Sequence, residues 1–380
     1  MNSSDFLNSI KKKLAKGNPD IIYDSSKKIE YVQTGCMPFD MFIGGFPRRR
    51  LTEIFGPEGS GKSSLGLSAS AQIQKNKGFV VYLDFENGFN HEFAKNAFGL
   101  NADNNSFILF QPKNAEEGGE IIDQISSLEK IDLLVIDSIS AMQGKDSIEA
   151  SLEDNQRVGH HARTVGRIIV KLKNLASEKN CAILLVNQLR TAIKMSMFDQ
   201  SQGLGNLSGA DSQFSTTGGT APRFYSSLRI MLKNHAVKDK NDSKVILGNE
   251  TEFKIKKSRV GTPHINFRAT FNITINGQKP GWDNDKDLIK LAGEFGFIEQ
   301  SGFKFKYNGS TSDLDLEVKG KDNGEKALLA DAIRKEDAKK QVLNYFNRKK
   351  ESGEIKMADI EDESSEETSI ESSEDEEFSV

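Results

Sequence analysis

Runs of consecutive apolar residues mark the middle of the chain at Phe79–Leu83, Phe107–Phe110, Leu133–Ile136 and Ala182–Val186. A run of strand length without polar alternation reads as a strand buried on both faces, the condition of a parallel sheet. Between these runs, Ala115–Leu128 and Arg157–Ala176 read as helices. The second carries Val158, Ala162, Val165, Ile169, Leu172 and Ala176 at steps of three and four. Strands alternating with helices imply an α/β fold around a mostly parallel central sheet. Two further stretches, Phe224–Leu232 and Phe253–Ile275, read as strands with no helix between them, which predicts an antiparallel extension at one sheet edge. No internal repeat of about 20 to 50 residues interrupts this reading.

The two ends differ from the middle. Ser3–Leu14 pairs cap-type residues with Phe6, Leu7, Ile10 and Leu14 at helical spacing, a short amphipathic helix whose apolar face needs a neighbouring subunit or its own core. Pro280 and Gly281 read as a boundary. Beyond it Asp285–Gly293 reads as a helix, Gly302–Tyr307 as a short aromatic strand and Lys326–Lys350 as a basic, helix-prone segment. The expected organisation is an N-terminal helix and linker for oligomerisation (1–33), an α/β core (34–279), a small α+β C-terminal domain (280–357) and an acidic, disordered tail (358–380).

Composition narrows the class. The 380 residues are 36% hydrophobic and 28% charged, and no apolar run approaches the length of a membrane span. With no signal-peptide pattern after Lys11–Lys13, a cytoplasmic protein without a membrane partner is expected. Cys36 and Cys181 lack the spacing of a zinc site or a disulfide framework. The net charge of −4 hides an asymmetry, because Asp359–Val380 holds eleven acidic residues and no basic one. Of 55 acidic residues, the remaining 44 face 51 basic ones, a body of charge +7. Such a tail either competes with a polyanion for the basic surface or only solubilises.

The chemistry begins at Gly56-Pro-Glu-Gly-Ser-Gly-Lys-Ser63, which fits G-x-x-x-x-G-K-[ST]. The β-prone Leu51–Phe55 precedes it and a helix-prone Ser64–Gln74 follows, so bound phosphates sit at a helix N-terminus. Gly56, Glu58, Gly59, Ser60, Gly61, Lys62, Ser63 and Ser64 are thus candidates for holding ATP, with Lys62 on the β/γ-phosphates and Ser63 on Mg²⁺. Asp137, ending Leu133–Ile136, is placed as a Walker B carboxylate for the Mg²⁺. Glu86, in Leu83-Asp-Phe-Glu86, is the candidate base for the attacking water, with ordinary strand-end polarity as the alternative for it and for Asp84.

Val186-Asn-Gln188-Leu-Arg190 ends another buried strand with an amide that can report the γ-phosphate to the following loop. That loop, Thr191–Thr217, is rich in Gly, Ser and Thr, with Arg190, Lys194 and Arg223 supplying charge for sequence-independent phosphate contacts. A second candidate loop is Gly144–Gly159. The nearby His160 and His161 have no spaced acidic or cysteine partner, so metal ligation there is disfavoured.

These segments, with Thr34–Asp40, Thr216–Phe224 and Lys257-Ser-Arg259, follow the order and approximate spacing of the bacterial RecA recombinases, which the chain resembles over roughly Lys27–Tyr307. The resemblance implies a RecA-type ATPase core and a DNA-dependent ATPase for recombination and repair. Such a protein polymerises on single-stranded DNA, pairs it with homologous double-stranded DNA, holds ATP between subunits and works with single-strand-binding and loading proteins. By the same resemblance Glu86 is the base, Gln188 the γ-phosphate sensor, and Asn90 and Phe93 the adenine contacts. Lys257, Arg259 and Arg223 then reach across the subunit interface, and Arg163, Arg190, Thr217, Gly218 and Gly219 contact DNA. Val158 and Ile193 correspond to the apolar residues inserted between base triplets.

Phe93 stands where the family has tyrosine, and arginines replace two of its interface lysines. The 191–217 loop is longer than usual, so the fit is to a divergent member, of bacterial or phage origin. Two alternatives stay open: a ring-forming RecA-fold motor or helicase-like accessory ATPase, and a non-hydrolysing DNA-binding switch, against which Glu86 and Gln188 argue.

Overall fold

The computed structural model describes residues 28–145, 160–191, 214–238, 246–261, 266–273 and 279–352. In chain order the elements are β1 (Tyr31–Val32), α1 (Met37–Ile43), β2 (Phe46–Pro47), β3 (Arg50–Gly56), α2 (Lys62–Lys75), β4 (Val80–Asp84), α3 (His91–Phe98), β5 (Phe107–Phe110), α4 (Ala115–Ile125) and β6 (Leu133–Asp137). There follow α5 (His160–Lys179), β7 (Ala182–Thr191), β8 (Phe214–Thr216), α6 (Ala221–Tyr225), β9 (Leu228–Lys238), β10 (Ile246–Ser258), β11 (Asn266–Asn272) and β12 (Gly281–Trp282). The last part holds α7 (Asn284–Glu294), β13 (Ile298–Ser301), β14 (Lys304–Tyr307), β15 (Leu316–Lys319), α8 (Lys321–Ala330) and α9 (Ala332–Glu351).

The main sheet runs β12-β11-β10-β9-β3-β7-β6-β4-β5, with β8 paired to β7. From β9 to β5 every pairing is parallel, whereas β10, β11 and β12 add the expected antiparallel edge. The apolar runs are continuous because each alternates between two cores. Val80, Tyr82, Leu133, Val135, Leu184 and Val186 face the layer of α2 and the antiparallel edge. Val81, Leu83, Leu134, Ile136, Ile183 and Leu185 face α4 and α5. Burial on both faces drives each strand to be apolar throughout.

The boundary at Pro280 falls one strand before the end of the main sheet, since Gly281–Trp282 pairs with Phe271–Asn272. Residues 284–352 carry their own apolar cluster around Phe305, Tyr307, Leu328 and Val342, against which Met37, Met41 and Phe42 pack. Phe42 bridges the units, its ring stacked 4.9 Å from Phe267 and edge-on at 4.8 Å to Phe346.

Several sequence expectations need correction. The strand expected from Phe224 starts at Leu228, because Pro222 sits in the first turn of a short helix that holds Phe224 and Tyr225. The expected 253–275 strand begins earlier, at Ile246, and is two strands. Helix α4 ends at Ile125 rather than Leu128, in a turn through Ser126 and Ser127. The basic 326–350 segment divides at Asp331, whose carboxylate accepts from the N–H groups of Ile333 and Arg334 and so starts α9. In the aromatic strand, Gly302 is the turn of a hairpin and the strand itself is Lys304–Tyr307. The 191–217 loop has an ordered base, with Leu189, Arg190 and Thr191 paired to Thr216, Ser215 and Phe214. The 3–14 helix, the acidic tail, Val158, Ile193 and most of both candidate loops lie outside the described residues.

Candidate active site and nucleic-acid interface

The parallel strands bring their C-terminal ends to one edge, where a cleft of about 320 Å³ opens. Its floor is the loop between β3 and α2. Gly61, at φ 89°, turns that loop into the helix without a side-chain cap, so the first-turn N–H groups of α2 face the cleft for an anion. A Cβ at Gly56 would fall 2.3 Å from the Leu232 carbonyl oxygen, so β3 can lie against β9 only with glycine there. Of the candidate phosphate-loop residues, Glu58, Gly59, Ser60, Gly61, Lys62, Ser63 and Ser64 line the cleft.

Lys62 Nζ donates to the carbonyl oxygens of Pro57 (2.6 Å) and Gly56 (3.1 Å). Burial pulls its pKa down, opposed by the carboxylates of Asp137, Glu86 and Glu58. Asp84 and Asp137 are register partners at the ends of β4 and β6. Asp137 Oδ2 accepts from Tyr82 Oη at 2.6 Å, and the Ser63 hydroxyl donates to the same carboxylate. Burial raises the Asp137 pKa, those two hydrogen bonds restrain it, and the charges of Glu86 and Asp84 raise it further. A hydroxyl and a carboxylate in contact are hard oxygen donors suited to Mg²⁺ completed by substrate phosphates. No cluster of three or more metal-binding side chains occurs among the described residues.

Glu86 is exposed at the rim. Its Oε1 accepts from Gln188 Nε2 at 3.1 Å and from the Ser138 hydroxyl, which itself lies 2.5 Å from Ser140 Oγ. The candidate base and candidate sensor are thus in direct contact, and Ser138, to which sequence reasoning assigned no role, is a third member. Nor is Asp84 ordinary strand-end polarity. It is buried, and accepts from the N–H groups of Glu86 (3.2 Å), Gly88 (3.3 Å) and Phe89 (3.0 Å) and from Gln111 Nε2 (3.1 Å), folding the loop that carries Glu86.

Neither Asn90 nor Phe93 lines the cleft. Asn90 Oδ1 caps α3 by accepting from Phe93 N at 2.8 Å, and the Phe93 ring meets Phe98 edge-on at 5.7 Å. The aromatic wall is Phe271, 6.5 Å from Phe93, joined by Asn249, Thr251 and Val186. Asn234 also serves the site, its Nδ2 donating to the Gly59 carbonyl at 3.0 Å. Apart from Val186, these residues come from the antiparallel edge and its neighbour β9, and only non-local pairing places them here.

Lys257, Arg259 and Arg223 do not line this subunit's cleft. Lys257 Nζ donates to the carbonyls of Arg223 (2.6 Å) and Phe224 (3.1 Å), closing the C-terminus of α6. Burial lowers its pKa, and the Arg259 and Arg229 charges lower it further. Phe224 beside it is 64% exposed, an apolar side chain held out to solvent.

Of the predicted nucleic-acid contacts, the structure brings together Arg163 and the turn Thr217–Gly219. Gly219, at φ 73°, approaches α5 so closely that a Cβ would lie 2.9 Å from Ala162 Cβ, next to exposed Arg163. The Arg190 backbone pairs in the hairpin base leading to this turn.

A family model described as RecA N-terminal domain matches residues 3–277. The chain is 34% identical over 289 residues to Protein RecA of Bacteroides thetaiotaomicron, covering 75% of this chain and 80% of that one. It is 32% identical over 344 residues to Protein RecA of Chlorobaculum tepidum, covering 90% and 91%. Against Protein RecA of Streptomyces rimosus it is 33% identical over 325 residues, covering 85% and 79%.

Proposed function

The chain belongs to the RecA family, and from that premise we propose how its own residues divide the work of an ATP-driven recombinase. Its activity is DNA-dependent ATP hydrolysis coupled to assembly on single-stranded DNA and strand exchange with homologous duplex. Lys62 and the first-turn N–H groups of α2 bind and orient the triphosphate, and Ser63 with Asp137 would hold Mg²⁺, which would supply positive charge against the phosphates. Glu86 takes the proton of the attacking water. Gln188, bonded to Glu86, is placed to sense the γ-phosphate. Phe271 presents a flat apolar face for the base.

Lys257, Arg259 and Arg223, gathered away from their own cleft, serve the nucleotide of a neighbouring subunit in a filament, with Phe224 at that junction. Arg163, Arg190 and Thr217–Gly219 hold the polynucleotide backbone. Single-strand-binding and loading proteins are further proposed partners. No helix among the described residues is long and apolar enough to cross a membrane.

One observation carries this reading. The strand whose buried part ends at Asn187 continues through Gln188 and Leu189–Thr191 into a hairpin whose return strand leads directly into Thr217–Gly219, so the proposed sensor and DNA-binding turn share one hydrogen-bonded unit. The test is ATP turnover with and without single-stranded DNA, with the same samples imaged by electron microscopy. Stimulated turnover and helical filaments are expected. Closed rings would favour the motor, and nucleotide binding without turnover the switch.

A further inference from the structure

Glu53 lies in the middle of β3 with no exposed surface, among Leu51, Ile183 and Leu185 on the face covered by α4 and α5. An ionised carboxylate is tolerated in such a place only when its lone pairs are engaged. Both oxygens are. Arg229, its register partner on β9, donates from Nε to Oε2, and Asn187 on β7 donates from Nδ2 to Oε1 at 2.9 Å.

Each partner has a second attachment. The Arg229 guanidinium sits 4.8 Å above the Phe55 ring and reaches Thr216 Oγ1 at 3.4 Å. Asn187 also donates from Nδ2 to the Thr217 carbonyl at 2.9 Å, and its Oδ1 accepts from Gln188 N at 2.9 Å. The Asn187 side chain therefore holds the backbone of the nucleotide sensor on one side and of the polynucleotide-contacting turn on the other. Its orientation is fixed by the buried pair beneath. Neither Glu53 nor Arg229 lines the cleft, so the pair has no direct part in binding ATP.

We propose that Glu53 and Arg229 are positioning residues that couple the nucleotide state of Gln188 to the turn Thr217–Gly219 through Asn187, a proposal that rests on the recombinase reading of the site. In a dry, low-dielectric setting these hydrogen bonds are stiff, and a shift of Gln188 N is passed to Thr217 rather than absorbed by water. A pair that served only stability would leave communication between the two sites unchanged.

The test uses the full chain with Glu53→Gln and Arg229→Lys. Glu53→Gln keeps an acceptor for Asn187 but removes the charge that faces Arg229. Arg229→Lys keeps the charge against Glu53 and loses the fork that also reaches Thr216. The affinity for a fluorescent oligothymidylate is measured with and without a non-hydrolysable ATP analogue and Mg²⁺, and the analogue's affinity with and without the oligonucleotide. In both variants the nucleotide-dependent ratio of DNA affinities is expected to fall by about fivefold or more, with the reciprocal ratio falling by the same factor. Analogue binding without DNA stays at the wild-type value.

Wild-type ratios retained in the variants overturn the relay alone. A wild-type ratio of one overturns the recombinase reading and the relay with it. If Glu53→Gln loses cooperative unfolding, Arg229→Lys decides; a loss of analogue binding along with the ratio in Arg229→Lys makes the pair structural and overturns the proposal.

Discussion

Gln188 Nε2 donates to Glu86 Oε1 across 3.1 Å although 102 residues separate them in sequence. Their strands, β7 and β4, are not neighbours: β6 lies between, and Ser138 at its end donates to the same oxygen. The candidate base is thus held by two neutral donors at the cleft rim, in contact with bulk solvent. Replacing Glu86 with Gln preserves shape and removes only basicity. Hydrolysis is expected to fall by about 10² to 10⁴ with nucleotide and DNA binding retained, read from turnover and from binding titrations on the same preparation. Turnover near the wild-type value would make Glu86 a structural carboxylate.

Asp84 folds the loop that carries Glu86 and does not itself line the cleft. Asp84→Ala leaves the N–H groups of Glu86, Gly88 and Phe89 without their buried acceptor, at about 1–3 kcal/mol for each group that finds no water. The expected result is a lower unfolding midpoint together with a kcat loss larger than any change in KM, because Glu86 is misplaced while the phosphate loop is intact. Unchanged kcat in a destabilised variant would limit Asp84 to folding.

A buried carboxylate at the junction of the two units sets a pH dependence. Asp287 accepts from Thr270 N and Oγ1, yet burial pushes its pKa up to about 6. A raised folded-state pKa means that the native state holds the proton more tightly than the unfolded chain. Its contribution to stability is complete below about pH 4 and is lost as pH rises through about 6. Relative to Asp287→Asn, the wild type should lose up to about 3 kcal/mol between pH 4 and 6 and change no further above pH 7. Urea unfolding of both proteins at a series of pH values measures this difference; a flat difference would contradict it.

The acidic segment 359–380 is argued from sequence alone. If it competes with DNA for the basic body, its deletion should tighten single-stranded DNA binding, most at low salt where the screening length is greatest. Titrations at two salt concentrations decide this, and equal affinities would leave the segment a solubilising role.

What could be read ahead of the structure follows from distance along the chain. The phosphate loop, Asp137 and Glu86 stand at the ends of apolar runs, so local pattern marked them as candidates, and for Glu86 the resemblance carried the choice over ordinary strand-end polarity. Asn249, Thr251 and Phe271 reach the cleft only through the antiparallel pairing of β10 with β9 and β11, which no local periodicity encodes. Glu53 was invisible for the same reason. It sits within Leu51–Phe55, a run that reads as ordinary strand, and its meaning appears when β9 sets Arg229 opposite it. Asn90, which the resemblance places at adenine, also has a local role: its side-chain oxygen caps α3 by accepting from Phe93 N, as an asparagine before a helix readily does.

As a RecA family member, this ATPase should exchange strands. The most direct measurement incubates the full chain with circular single-stranded DNA and homologous linear duplex, and follows joint molecules on a gel with ATP, without ATP and with a heterologous duplex. Strand exchange predicts joint molecules only when ATP and homology are both present, and none with Lys62→Ala. DNA-stimulated hydrolysis that unwinds duplex or encircles DNA in closed rings, without homologous pairing, would contradict it.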